Sequence, residues 1–380
     1  MPWSIRGCAM TDAVSRVDKG RSLWRDAWSR LKINRAAMVS IYYLLFMIVL
    51  CIAGPWFTPH SFSTIYQDYN RVPPSFAPYP KAEGIDTAVK DAVRRARLEL
   101  SGWEDRQGKI LITVTSAKPI DKRVIQYIDR SDVFENTQIG EVSDDGMKML
   151  MNADIRPMYF YFGTDNSGRD LLTRTLIAGR VSLSIGLLAG LVAVVIGVLY
   201  GAAAGFLGGK TDEVLMRIVD ILYSLPFIFF VIMLVVFFGR NFVLMFLAVG
   251  AVLWLDMARI VRGQALSIRR QEYVQAAEAL GVTRTGILLR HVVPNLLGPV
   301  VIYMTLLVPQ VIILESFLSY LGLGVQEPMA SWGVLIAQGA NNIPGANWLL
   351  AFPSFFLIST LFALNFVGDG LRDALDPKDR

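Results

Sequence analysis

The chain has 380 residues, of which 53% are hydrophobic and 18% are charged, and its net charge at pH 7 is +5. Because soluble proteins carry about 25% charged residues, this composition argues against an ordinary soluble domain. The two cysteines and two histidines are too few for a disulfide framework or a histidine-based metal site. The placement of the basic residues, described below, explains the positive charge better than a nucleic-acid partner does.

Long apolar runs predict an all-α polytopic membrane protein with six transmembrane helices. A helix crosses the hydrocarbon core of a bilayer in about 20 residues and satisfies its own backbone hydrogen bonds there. We predict spans at residues 37–55, 181–206, 216–238, 242–262, 295–320 and 349–370. Glycines recur along the second span at positions 186, 190, 197, 201 and 205, which is typical of close helix packing.

The distribution of Lys and Arg predicts the orientation, since basic residues in short loops are retained in the cytoplasm. They are concentrated in segments 1–35, 208–217, 259–294 and 371–380, whereas the two short loops on the other side carry only Arg240. We therefore expect both termini in the cytoplasm. The chain then divides into a cytoplasmic segment 1–36, the first span 37–55, a periplasmic insertion 56–160, a five-helix core 161–370 and a cytoplasmic tail 371–380.

The insertion 56–160 is too long for a simple connector, and we expect a small α+β domain. Apolar residues recur at helical spacing, which predicts a helix that contains Ile85, Val89, Ala92, Val93, Ala96 and Leu100. The runs 109–116 and 123–129 are typical of strands. The other interpretation is a mobile loop that only connects two spans.

A glycine-split segment on the predicted inner face, which we call the bracket (264–294), contains two short amphipathic helices. Tyr273, Ala276, Ala277 and Leu280 share one helical face. Gly281 suits a left-handed cap, and Thr283 can cap a second helix that ends before Pro294. The bracket could lie on lipid, pack as an ordinary loop on its own bundle, or dock a cytoplasmic partner.

The bracket resembles the EAA loop of permease subunits of ATP-binding-cassette (ABC) transporters. Gln275-Ala276-Ala277 is followed by Gly281 and Pro294, although Gln275 stands where that family usually has glutamate. The segments 162–186, 201–226, 315–324 and 368–378 are similar to peptide-importer permeases of the oligopeptide/dipeptide family, C type. The insertion and the segment 331–348 resemble the branch that imports long peptides and microcin-type antibiotics.

The resemblance implies half of a transmembrane path for peptides in the bacterial inner membrane. It implies a homologous second permease, cytoplasmic P-loop ATPase subunits and a periplasmic peptide-binding protein, for which the insertion is a candidate contact. The residues that it implies for ATPase coupling are Glu272, Tyr273, Gln275, Ala276, Ala277, Glu278, Gly281 and Pro294. The run 205–211 lacks the spacing of a phosphate-binding loop, so we expect no enzyme activity and no cofactor in this chain; ATP and Mg would bind the partners.

Carboxylates in or near the spans are expensive to insert and need partners. We expect Asp220 to pair with Arg217 and Asp256 to pair with Arg259, each three residues away on a helix. Glu315 has no basic neighbour in its span, which makes it a candidate for the path or an interface.

Two other functions stay open at this point. An ion-coupled secondary transporter would show inverted repeats and midplane carboxylates, and the sequence has no visible repeat. A permease of the same family could import a non-peptide solute such as nickel or a glycoconjugate.

Overall fold

The computed structural model describes residues 23–106, 108–143, 145–239 and 242–375. Most of the predicted cytoplasmic segment 1–36 and half of the predicted tail 371–380 therefore lie outside the described residues. The described chain forms a helical bundle and, between its first two long helices, a small inserted domain with one sheet.

Helices and strands follow one another in the order expected for a bundle interrupted once. The helices are α1 (Leu23–Ile33), α2 (Arg35–Phe57), α3 (Ala82–Arg95), α4 (Ile125–Asp129), α5 (Leu171–Leu207), α6 (Gly209–Ser224), α7 (Phe227–Phe238), α8 (Phe242–Arg269), α9 (Glu272–Ala279), α10 (Arg284–Ile287), α11 (Val293–Tyr320), α12 (Trp332–Ala340) and α13 (Trp348–Leu375). The strands are β1 (Glu99–Arg106), β2 (Lys109–Thr115), β3 (Phe134–Val142) and β4 (Lys148–Ile155).

Among the described residues, five helices are long and apolar enough to cross a membrane, or six if one bent pair counts as a span. The five contain α2, α5, α8, α11 and α13, and the bent pair is α6 with α7. The span predicted at 216–238 is not one straight helix, because the axes of α6 and α7 meet at 85°. Pro226 explains the break, since proline drives the preceding residue out of the helical region and Leu225 is extended (ψ 133°).

The packing of α5 on α8 confirms the role expected for three glycines of the second span. A Cβ at Gly201 would overlap the carbonyl oxygen of Ala258, and one at Gly197 would lie 2.6 Å from Met257 Cβ. Gly205 is equally close to the backbone of Arg262. The contacting positions rise together along both helices, so α5 and α8 run parallel and nearly backbone to backbone.

The remaining long helices complete the bundle through similar close contacts. Gly186 and Gly190 face Val308 of α11, as the glycine pattern predicts. Gly370 of α13 lies against Ala37 at the start of α2, and Gly54 near the end of α2 faces Leu176 of α5. Farther along α2, Tyr43 donates to Ser359 of α13 at 2.6 Å, so the two helices are antiparallel.

The inserted domain confirms the α+β expectation and has its own apolar core. Its antiparallel sheet has the order β1-β2-β4-β3. One face of the sheet contributes Ile110, Ile112 and Met151, which are fully buried against α3 and α4. The strand predicted at 123–129 is wrong, because this run is helical and its first turn is capped by the Asp121 side chain. The predicted helix ends at Arg95, and Leu100 belongs to β1.

The inserted domain and the bracket lie at opposite ends of α5. The domain joins the bundle where α2 ends and α5 begins, and α5 is about 55 Å long at 1.5 Å per residue. At the other end, Arg269 Nη1 donates a hydrogen bond to the carbonyl oxygen of Leu207. Arg269 ends α8, and α9 of the bracket begins at Glu272.

The close α5–α8 packing predicts that adding a methyl group destabilises the protein at Gly201 but not at Gly263. Gly201→Ala should destabilise the protein by about 1–3 kcal/mol, because the new methyl group meets backbone that has no room to move. Gly263→Ala on α8 is the control, since a Cβ there has nothing within 4 Å. The measurement is the apparent Tm of the purified chain in detergent. Equal Tm values for the two variants would contradict the packing.

Candidate functional site

The helix α9 of the bracket turns one side to the bundle and leaves the other side open. Val274 is fully buried and Ala277 nearly so, and both belong to the main apolar core. Tyr273 is 44% exposed and Leu280 is 84% exposed. Ala276, which the sequence places on the same face, is exposed as well. The predicted stripe is therefore mostly a free surface rather than a packing surface.

The turn after α9 has the geometry that the sequence predicts. Gly281 adopts a left-handed conformation (φ 79°), which a residue without a Cβ reaches at little cost. The amide of Val282 donates to the carbonyl oxygen of Ala277, and the amide of Gly281 donates to that of Glu278. These are the two hydrogen bonds of a Schellman cap. The Thr283 hydroxyl then accepts from the Gly286 amide and begins α10.

The sequence predicts that the second helix of the bracket ends before Pro294, and this prediction is wrong. A π-helical turn, Leu288–Val292, joins α10 to α11, so the helix runs on to Tyr320. Pro294 lies in the first turn of α11, directly after the π-helical turn. The Asn295 side chain donates to the carbonyl oxygen of His291 at 2.6 Å and satisfies one acceptor in this irregular stretch.

Apolar side chains form the exposed surface of the bracket. Besides Tyr273 and Leu280, Val282 is 39% exposed and Leu289 is 55% exposed. The polar residues Glu272, Gln275 and Glu278 are exposed around them. The side-chain amide of Gln275 donates to the carbonyl oxygen of Arg270 at 3.3 Å. We call the group Tyr273, Leu280, Val282 and Leu289 the bracket face.

Ion pairs attach α6 to α8 just before the bracket. Arg262 donates to both oxygens of Asp212 at 2.5 and 2.6 Å, and Arg259 donates to Asp220 at 2.9 Å. The guanidinium of Arg259 also lies 4.2 Å from the ring centroid of Tyr223. These contacts fix the end of α8 that leads into the bracket.

The predicted pairs within single helices are therefore wrong. Arg259 binds Asp220 of the neighbouring helix rather than Asp256 of its own, and Asp220 does not pair with Arg217 in the described residues. Packing of α6 against α8 brings Asp220 and Arg259 together, and spacing along one helix does not show this.

Glu315 lies near the other end of α11 and is completely buried. Its Oε1 accepts hydrogen bonds from the hydroxyls of Ser319 and Ser331, each at 2.6 Å. Ser331 is also the N-cap of α12, where its oxygen accepts from the Val334 amide. The Trp332 amide donates to Ser182 of α5. The carboxylate therefore ties α11 to the start of α12, beside α5.

A second polar cluster lies where the inserted domain meets the bundle, and sequence reasoning missed it. Arg174 and Arg169 are buried beside Asp165, and Arg169 donates to both oxygens of Glu327 at 2.9 Å. A cavity of about 180 Å³ opens beside Arg169 and Glu327. The signal for the cluster is the charged run 165–174, which has no apolar period and precedes a span.

Glycines allow the chain to approach this cluster closely. Gly168 has a positive φ of 79°, and a Cβ there would overlap the carbonyl oxygen of Tyr66. Gly163, with φ 77°, similarly has no room for a side chain against Val72 and Trp348. The segment therefore packs the inserted domain closely against the start of α5.

The hydrogen bonds of Glu315 generate a prediction about stability. Glu315→Ala should lower the apparent Tm of the purified chain, because it leaves two buried hydroxyls without an acceptor, at about 1–3 kcal/mol for each unsatisfied group. Glu315→Gln is the matched control, since its amide oxygen can accept from both serines. A Tm of the alanine variant at or above that of the glutamine variant would contradict this role.

The chain matches the models of two protein families. The model of the binding-protein-dependent transport system inner membrane component matches residues 193–380. The model of the N-terminal TM domain of oligopeptide transport permease C matches residues 22–74.

Three relatives carry the similarity over much of the chain. The oligopeptide transport system permease protein OppC of Escherichia coli K12 is 59% identical over 237 residues, which are 62% of this chain and 78% of that protein. OppC of Haemophilus influenzae is 42% identical over 95% of this chain and 91% of its own. The dipeptide transport system permease protein DppC of Bacillus subtilis is 36% identical over 97% of this chain and 89% of its own.

Proposed function

Because the chain belongs to the family of inner-membrane permease components of binding-protein-dependent ABC transporters, with the oligopeptide and dipeptide permeases of C type, we propose that it forms half of a transmembrane path for peptides. The proposed complex contains a homologous second permease, two cytoplasmic ATPase subunits and a periplasmic peptide-binding protein. ATP and Mg bind the ATPase subunits, and this chain carries the movement.

The exposed bracket face is the observation that carries the proposal. Leu280 is 84% exposed beside Tyr273, on a short helix whose other side is locked into the bundle by Val274 and Ala277. The exposed apolar group belongs to a helix that is packed into the bundle and that also exposes Glu272 and Glu278. Such a surface suits a groove on a soluble partner. A lipid-lying helix would instead have a large continuous apolar face and a strongly basic polar face.

The position of the bracket explains how a partner could act on the path. It joins α8 directly to α11, so a push on α9 reaches two long helices at once. The ion pairs from Arg259 and Arg262 extend the same push to α6. Closure of the ATPase subunits would then shift the bundle between two packings, as alternating access requires.

Glu315 has a proposed role as a joint rather than as a ligand for peptide. It is fully buried, and its hydrogen bond to Ser331 links the far end of α11 to α12. A movement that enters α11 at the bracket would therefore be passed to α12.

In the assembled complex, Glu315→Ala should reduce peptide uptake more than ATP hydrolysis, whereas Glu315→Gln should affect neither strongly.

The inserted domain is the proposed contact for the binding protein. It has a separate apolar core and lies at the end of α5 opposite the bracket. Orientation with the bracket in the cytoplasm places this domain in the periplasm, where a loaded binding protein would arrive. The chain is closely packed at Gly163 and Gly168, just before α5, so a movement of the domain on docking would be transmitted to α5.

The docking role of the bracket face is tested by co-purification of the complex. Leu280→Asp should remove the ATPase subunits from a tagged full-length chain, because a carboxylate would be buried without a partner in the groove. Ile33→Asp is the control, since Ile33 is 80% exposed but lies outside the bracket. Gly281→Val, which strains the left-handed turn, should act like Leu280→Asp.

Retention of the second permease would show that the Leu280→Asp chain is inserted and folded. Under that condition, ATPase subunits that stay bound at the wild-type level would overturn the assignment of the bracket face.

The orientation is tested by labelling with a membrane-impermeant maleimide. With Cys8 and Cys51 replaced by serine, Ala276→Cys should react only in inside-out vesicles, because Ala276 is exposed on the bracket. Met147→Cys, at a 41% exposed position of the inserted domain, should react only in right-side-out vesicles. The reverse pattern would place the bracket outside and remove its partner.

The substrate class is tested in proteoliposomes that contain the assembled complex and the binding protein. A labelled peptide should accumulate only with ATP, and dissipation of ion gradients should not stop it. Uptake that follows an ion gradient without ATP would identify a secondary transporter. ATP-driven uptake of nickel or a glycoconjugate, with none of peptide, would keep the family and change the cargo.

A further inference from the structure

Three aromatic side chains of the inserted domain form an exposed group that the function proposed above does not use. Phe76 is 86% exposed, and Tyr159 and Tyr161 are each 38% exposed. The ring of Phe76 lies 5.8 Å from that of Tyr161, and Tyr161 lies 6.4 Å from Tyr159. We call these three residues the aromatic patch. A contiguous group of exposed aromatic rings is a candidate contact surface.

The backbone beneath the aromatic patch is indeed fixed. The Ser75 amide donates to the carbonyl oxygen of Phe160 at 3.0 Å. Tyr79 and Met158 exchange two backbone hydrogen bonds at 2.7 and 2.9 Å. The Tyr79 hydroxyl donates to the carbonyl oxygen of Pro73 at 2.9 Å. Phe76 is therefore held outward by an ordered segment, and its exposure belongs to the fold.

Two contacts place the aromatic patch at the level where long apolar helices end. His60 Nε2 donates to the carbonyl oxygen of Tyr159 at 2.9 Å, and His60 is three residues beyond Phe57, the end of α2. Next to Tyr161, the ring of Phe162 stacks on Phe352 of α13 at 4.0 Å.

The neighbouring helix end carries exposed aromatic residues of the same kind. Trp56 is 77% exposed and Phe57 is 85% exposed at the end of α2, which is a candidate membrane span. Tyr and Trp are enriched at the boundary between lipid headgroups and acyl chains, where an apolar ring and a polar tip are both satisfied. Through His60, which contacts Tyr159 and follows Phe57 by three residues, the aromatic patch is joined to this same end of the span.

From this placement we propose that the aromatic patch lies in the interfacial layer of the bilayer and anchors the inserted domain to the lipid surface. The occupant is lipid, with Phe76 reaching the acyl boundary and the two tyrosine hydroxyls lying among the headgroups. The anchor would act together with the close contacts at Gly163 and Gly168 to fix the orientation of the domain relative to the membrane.

The test measures the depth of a nitroxide label at position 76. Phe76→Cys is made in the full chain with Cys8 and Cys51 replaced by serine, labelled, and placed in nanodiscs of phosphatidylethanolamine and phosphatidylglycerol. Met147→Cys is the control, since Met147 is also exposed but directly precedes β4. The strand β4 is about 25 Å long at 3.3 Å per residue, and its other end leads to the segment that carries Tyr159 and Tyr161. Collisions with dissolved oxygen and with a water-soluble nickel chelate are compared.

The ratio of oxygen to nickel collisions at position 76 should exceed that at position 147 severalfold. A ratio equal to that at position 147 would overturn the proposal, because it would place Phe76 in water. Protection from both reagents, within the assembled complex or in the chain alone, would also overturn it, because protein would then be the occupant. Tyr161→Cys provides a second label position and should give the same ordering.

Discussion

The parallel packing of α5 and α8 is the constraint on which the rest of the bundle depends. Gly197, Gly201 and Gly205 bring the two helices into near backbone contact. Two consecutive long helices can run in the same direction only if the chain between them travels back along the bundle. The helices α6 and α7 make that return, which is why a bent and loosely packed pair counts as a crossing. The same constraint brings Arg269 beside Leu207 and so fixes the end at which the bracket begins.

Features with local causes could be predicted from the sequence. Gly281 and Thr283 mark a turn and a cap through their own backbone chemistry, and the glycine spacing of α5 indicates a close neighbour without naming it. The run 123–129 alternates apolar and polar residues over only seven positions, which is a weak indication of a strand. The Asp121 side chain, which caps the first turn, favours a helix instead. The predicted second span begins at residue 181, ten residues after the start of α5, since the first turns of α5 contain Arg174 and do not look apolar.

Features that depend on tertiary neighbours could not be predicted. The partner of Asp220 is on another helix, and Ser331, which donates to Glu315, lies outside α11 at the start of α12. Spacing along one helix favours the nearest opposite charge, whereas packing selects the pairs that actually form. The open side of α9 shows the same limit: periodicity finds the stripe of Tyr273 and Leu280, but only the packed bundle shows that Val274 faces inward.

The proline residues of α11 have a mechanical consequence for the route from the bracket to Glu315. Pro299 and Pro309 lie inside this helix and carry no amide proton, so the carbonyl groups of Asn295 and Thr305 lack their usual donors four residues on. With one hydrogen bond fewer at each of these points, the helix resists bending less there. A displacement applied at one end would therefore reach the other partly as bending of α11 and not only as a rigid shift of the helix.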